Sequence, residues 1–204
     1  MYMAVQPKRR PYTKKRRAEL EEETRRRITA ATVELHREVG PANTTISAVA
    51  DRAGVQRLTV YRHFPDEPTL LRACSAHWRA GHPAPDPSPW ASIADPEERL
   101  RTAVAAFYAF YRSDEAMMAK IRRDAEVMPA LAATIADLRG YMDAVAEILM
   151  AGWGARGRRR ELLGAALGHV LEFETWRSLE RRQGLAPERA VELAVGTVRS
   201  AARR

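Results

Sequence analysis

Apolar residues recur along most of this chain at helical spacing. From about Glu19, Ile28, Ala31 and Leu35 fall at i, i+3 and i+7 until Gly40 and Pro41 stop the run, and acidic Glu21 to Glu23 suit the positive end of such a helix. A second helix follows in "NTTISAVADRAG": Thr44 or Thr45 can cap its first turn, Ile46, Val49 and Ala50 form one face, and Gly54 closes it. The next segment, Gln56 to Phe64, is short and sharply two-faced. Val60 and Phe64 lie four apart on one side, Arg57 and Tyr61 four apart on another. Pro65 and Asp66 turn the chain into a fourth helix, carrying Leu70, Leu71 and Cys74 and ending near Ala80.

"GHPAPDPSPW", Gly81 to Trp90, holds four of the chain's 12 prolines and cannot continue a helix, because proline lacks the N–H and clashes with the preceding turn. It marks a domain boundary. Beyond it the pattern predicts helices over about 96–112, 114–126, 129–151, 158–183 and 187–202, with breaks at Ser113, Pro129, "GWGARG" and "QGLAP". No segment alternates as a strand does, and no fixed-period repeat is present. The fold class expected is all-α, in three parts: a flexible basic arm over 1–18, a helix-turn-helix head with its connecting helix over 19–80, and a larger helical domain over 81–204.

Charge sharpens this picture because it is polarised. Residues 1–80 hold sixteen Lys and Arg against nine Asp and Glu, whereas residues 81–204 hold 18 against 17, so nearly all of the net +8 belongs to the N-terminal part. A polyanion docking on the head is the natural reading, and nucleic acid suits it better than a membrane surface, since no wide aromatic helix face accompanies the cations. No run approaches the ~18 apolar residues of a spanning helix, and no leader pattern opens the chain. With one cysteine and so no internal disulfide, a cytoplasmic protein is expected.

Two short helices joined by a glycine turn form a helix-turn-helix, whose second member enters the DNA major groove. Ala50 lets the helices approach, Gly54 permits the turn, and Val55 and Val60 fill the space between them. Arg57, near the start of the second helix, can donate two hydrogen bonds to guanine O6 and N7, and Leu58 can also face the groove. The stretch "TTISAVADRAGVQRLTVYRHFPDEPTLL" resembles the DNA-binding region of TetR-type bacterial transcriptional regulators over about residues 24–74, carried by Thr45, Ala50, Gly54, Val55, Thr59, Tyr61, His63 and Phe64 in register. By position, the resemblance implies that Thr45, Tyr61 and His63 hold phosphates and that Gln56, Arg57 and Thr59 lie at base edges, with Ser47 where a longer polar residue can reach a base. Glu67 departs from it, standing where a lysine directed at the DNA backbone is usual. The seven Lys and Arg from Lys8 to Arg17 are expected to compensate.

The resemblance further implies a homodimer built on the last two long helices, a double-stranded pseudo-palindromic operator as partner, and a small-molecule effector in the second domain, most often releasing a repressor. Apolar faces at Leu162, Leu163, Ala166, Leu167, Val170, Phe173 and Trp176, and at Val191, Ala194, Val195 and Val198, suit a bundle or simply a core. Pocket candidates for an apolar or aromatic effector are Phe107, Tyr108, Tyr111, Met117, Met118, Met128, Tyr141, Met142, His169, Phe173 and Trp176. The competing class is a helical small-molecule-binding protein or enzyme whose basic head serves another anion.

No motif calls for a cofactor or assigns an enzyme. "GWGARG" matches the dinucleotide fingerprint in letters, but Met142, Val145, Ile148 and Leu149 precede it at helical spacing where a strand is required. Cys74, His77 and His82 are too few and too scattered for a zinc site.

Overall fold

The computed structural model describes residues 11–136 and 138–203, with side chains from Lys15 onward, and every regular element among them is helical. Helix α1 (Pro11–Glu38) is followed by a 3-10 turn (Pro41–Asn43), α2 (Ile46–Ala53), α3 (Arg57–His63) and α4 (Glu67–Gly81). A second 3-10 turn (Ser88–Ser92) leads to α5 (Pro96–Ser113), α6 (Glu115–Ala125), α7 (Pro129–Ala136), α8 (Arg139–Met150), α9 (Arg158–Val170), α10 (Phe173–Arg177) and α11 (Pro187–Arg203).

The expected arm is corrected over part of its length. Residues 11–18 are the first two turns of α1, and residues 1–10 lie outside the described residues. Pro11 is tolerated at a first helical position, and the strongly helix-forming Lys, Arg and Glu run that follows is stitched by an Arg17–Glu21 pair at 3.2 Å.

Two apolar clusters organise the chain. In the head, Ile28, Val49, Val60, Phe64, Leu70 and Cys74 pack together, so α3 is braced from beneath by α1, α2 and α4. In the body, α5 lies against α8, α9, α10 and α11 through Leu100, Tyr108, Leu149, Leu163, Trp176 and Val195. Met117 of α6 belongs to the head cluster although its helix follows the linker. Gly40 permits that joint: it sits at φ +93°, and a Cβ there would lie 2.5 Å from both Arg123 and Asp124 of α6.

Two predicted helices are broken. The run expected over 129–151 is divided into α7, ending at Ala136, and α8, starting at Arg139, and the run expected over 158–183 divides at Leu171–Glu172. No glycine or proline causes the second break. Tyr108 and Tyr111 donate from their hydroxyls to the carbonyls of Val170 and Leu171 at 3.1 and 2.5 Å, and Thr175 donates to that of His169 at 2.6 Å. These bonds satisfy acceptors that the interrupted helix would otherwise leave unpaired. The chain resumes as α10 and a π-helical turn at Ser178–Arg182.

Candidate nucleic-acid interface and ligand cavity

The exposed face of α3 is sharply defined. Val60 is wholly buried, while Gln56, Arg57, Leu58, Tyr61 and Arg62 face solvent. Gln56 is the N-cap of α3 and makes no capping bond with its side chain, which leaves that amide free. Among the described residues, neither Arg57 nor Arg62 is in an ion pair. Other cations of the head are engaged internally. Arg25 donates to the carbonyl of His63 at 2.9 Å and stacks on Phe64, Arg27 donates to the carbonyl of Gly54 at 3.1 Å, and Arg52 pairs with Glu34 and Glu38 at 3.2 and 2.7 Å. The first two bring positive charge to the carbonyl ends of α3 and α2, where the helix dipole favours it. The polarised charge seen in the sequence therefore divides into cations that build the head and cations left facing out.

The remaining predicted positions are placed unevenly. Thr45 is exposed and accepts from the backbone N–H of Ala48 at 3.1 Å, so it caps α2 while its hydroxyl proton stays available to a phosphate oxygen. Ser47 and Thr59 are half-buried. His63 is half-buried as well, and its Nε2 is closed off without a partner. Burial, then the charges of Arg62 and Arg25, hold its pKa below the ordinary imidazole value. A phosphate bond through that nitrogen requires the ring to turn.

A second feature is a cavity of about 880 Å³ bounded by α1 and α4 of the head, α5 to α8, and the break after α9. It brings together six of the predicted ligand positions: Phe107, Tyr111, Met117, Met118, Tyr141 and Met142. Met128 does not; it lines a separate cleft of about 260 Å³ beside Tyr61 and Phe64. Four further candidates lie away from it. His169 is exposed, because α9 turns it to solvent, while Phe173 and Trp176 are fully buried in the body core behind Tyr111, with ring centroids 5.5 and 5.9 Å from it. Tyr108 is likewise core.

Trp78, His82 and Phe110, which were not among the predicted ligand positions, line the same space. Trp78 and His82, four apart and stacked at 5.2 Å, were assigned to the head and linker. Their spacing just before the proline-rich stretch was the available signal. Arg122 of α6 pairs with Glu172 at 3.1 Å at the edge of the cavity and leans over Phe173. Cys74 also borders the cavity, its thiol pushed up to about 12 by burial, and no group of three or more His, Cys, Asp or Glu side chains suited to a metal occurs among the described residues.

Residues 28–74, from the middle of α1 into α4, match the family described as bacterial regulatory proteins, tetR family. The chain carries a TetR-type DNA-binding head. Solved structures extend the likeness in fold across the body. A TetR-like transcriptional regulator from Rhodococcus sp. RHA1 is 17% identical, covering 86% of this chain and 93% of its own, with a TM-score of 0.61. The fatty acid degradation regulator FadR from Bacillus halodurans is 19% identical over 86% and 94%, also at 0.61, and a TetR transcription regulator from Haloarcula marismortui ATCC 43049 is 17% identical over 89% and 97%, at 0.57. No curated protein matches the chain in sequence.

Glu67, the departure from the TetR pattern, sits in the first turn of α4 beside the N-cap Asp66, which accepts from the N–H of Thr69 at 2.7 Å. A carboxylate there complements the helix dipole and adds local stability. The TetR-type head is bolted to the body at Asp114, between α5 and α6. Its buried carboxylate accepts from Arg37 of α1 in a two-pronged pair, at 2.7 Å for the closer contact, and from the indole N–H of Trp78 of α4 at 2.8 Å. Burial alone would raise the Asp114 pKa; the bonds from Arg37 and Trp78 outweigh it and hold the carboxyl below its ordinary range. Further along α6, Lys120 donates to the carbonyl of Arg37 at 2.8 Å, and Asp124 accepts from the N–H of Ala42 at 3.0 Å.

Among the described residues, no helix is long and apolar enough to cross a membrane. Of the α9 and α11 residues considered for a dimer face, Leu163, Leu167, Val170, Val191, Ala194, Val195 and Val198 are spent on this chain's own core. Leu162 is exposed, as is Leu193 of α11, which the apolar pattern did not single out.

Proposed function

We propose that this protein is a homodimeric, cytoplasmic transcriptional repressor that holds a pseudo-palindromic operator through α3 and releases it when a small apolar or aromatic molecule fills the cavity. The observation that carries the reading is the solvent-facing arc of α3. An arginine, a leucine, a phenol and a second arginine stand out from a fully braced seven-residue helix, and nothing in the fold of the monomer requires them there. Arg57 would read a guanine edge, Gln56 and Thr59 would lie beside it, and Thr45 and Tyr61 would hold phosphates on either side. His63 would join them after a turn of its ring, and Ser47 would approach a base only through water or a small shift. Lys8, Arg9 and Arg10 would add sequence-independent attraction.

The cavity supports the effector half of the proposal. Its volume falls in the range of small-molecule sites, and Phe107, Phe110, Tyr111, Tyr141, Met118 and Met142 stand among its aliphatic and charged lining residues. Its walls are also the head's supports: α6 contributes Met118 and Arg122 to the cavity and Lys120 and Asp124 to the corner after α1, while Trp78 faces the cavity and bonds Asp114. An occupant that favours one setting of α4 and α6 would thereby bias the head, by no more than its difference in affinity for the two settings. The likeness in fold to the fatty acid degradation regulator FadR from Bacillus halodurans makes an acyl chain one reasonable effector class to screen. For the dimer, the exposed Leu162 and Leu193 on neighbouring helices are the apolar positions left for a second copy.

A selection from random duplexes with the full-length protein tests this. It should return an inverted repeat whose half-sites are ~34 Å, one helical turn, or a multiple of it apart. A single unpaired half-site would remove the dimer from the account, and no consensus at all would remove DNA reading.

A further inference from the structure

At about 100° per residue, the outward arc of α3 runs Arg57, Tyr61, Leu58, Arg62, so Leu58 lies inside the arc with a cation beyond it on each side. It is 76% exposed, the most exposed large apolar side chain among the described residues. An isobutyl group in the first turn of a recognition helix is placed where base edges are read, because the N-terminal residues of that helix go deepest into the major groove. It brings no donor or acceptor. Guanine, adenine and cytosine present polar atoms there that leucine would cover without satisfying, whereas thymine alone presents a methyl group.

We propose that Leu58 is a specificity-determining residue that selects a thymine through its 5-methyl group, adjacent to the guanine read by Arg57. The inference rests on the reading of α3 as the operator-binding helix. The flanking charge identifies the occupant: an apolar protein surface laid over Leu58 would have to desolvate Arg57 and Arg62, while a DNA groove supplies phosphates and a guanine edge for them and a methyl group for the leucine.

The test uses the duplex returned by the selection, with each thymine replaced in turn by deoxyuridine, which lacks only the methyl group. Wild-type protein should lose about fourfold in affinity at one thymine in each half-site and about 15-fold when both are replaced. Leu58→Ala and Leu58→Gln should bind the thymine and deoxyuridine duplexes equally while still requiring the neighbouring guanine. Because Leu58 is at the surface, unchanged melting temperatures confirm that both variants fold. Wild type indifferent to every deoxyuridine, or Leu58→Ala keeping the wild-type deoxyuridine pattern, overturns the proposal while leaving DNA reading intact. A loss of self-association on Leu58→Ala with no change in base preference overturns it in favour of a protein contact. A selection without consensus overturns this proposal and the operator reading together.

Discussion

Replacing Asp114 by alanine removes the carboxylate on which α1 and α4 both converge. The side chain is 6% exposed, it accepts from the Arg37 guanidinium at two positions and from Trp78 Nε1, and His82 Nε2 stands 3.8 Å away. Breaking a buried ion pair by deleting one partner costs about 3–5 kcal/mol, but the Arg37 side chain is 40% exposed and water recovers part of that. The stranded indole N–H adds a cost of its own, about 1 kcal/mol or more, so a net loss of about 2–3 kcal/mol is expected. For a chain of 204 residues this lowers the melting temperature by roughly 5–10 °C. Asp114→Asn keeps an acceptor for Trp78 while losing the charge, and should lose about half as much. Urea denaturation of the two variants with a common slope measures both losses. An Asp114→Ala protein within 0.5 kcal/mol of wild type, a margin typical of inconsequential surface changes, would refute the reasoning that this carboxylate fastens head to body.

Three other changes address separate contacts. Burial lowers the His36 pKa from 6.5 to about 4 against the pull of Asp124, so the unfolded chain takes up a proton between those values and the folded one does not. Stability from this residue is complete above pH 6.5 and declines by on the order of 3 kcal/mol as pH falls to 4, and His36→Gln should flatten that part of a stability-against-pH curve. Gly40→Ala should cost about 1–3 kcal/mol in urea denaturation, since a side chain at φ +93° is strained and its Cβ meets Arg123 and Asp124. Met118→Trp should fill part of the cavity and weaken the binding of any effector found by thermal-shift screening about tenfold or more.

The helical head was legible in residues because its signals are local. Thr45 as a cap, Gly54 in the left-handed region at φ +63° and the Val60/Phe64 face all act within a few positions of themselves. The extension of α1 to Pro11 was not, because a run this basic resembles a flexible arm, whereas acids and bases spaced at i, i+4, such as Arg17 and Glu21, favour a helix. The break after Val170 was invisible for another reason. It is sustained by Tyr108 and Tyr111, some 60 residues away, and no feature of the broken segment announces it. The cavity was half legible: methionines and aromatics of α5, α6 and α8 could be named, but their sorting between wall and core depends on how helices rotate against one another. Phe173 and Trp176 therefore went to the core and Trp78 to the wall.

The central claim is that α3 thrusts Arg57 toward base edges, and the ratio of affinities for operator and scrambled duplex measures it most directly. Fluorescence anisotropy at roughly physiological salt should give wild type a ratio of at least ~10³. Arg57→Ala, which removes the contact from both half-sites, should lower that ratio by about 30-fold or more, with scrambled DNA affected several-fold at most. A ratio near one for wild type, or an equal proportional loss on both duplexes for Arg57→Ala, would contradict the account.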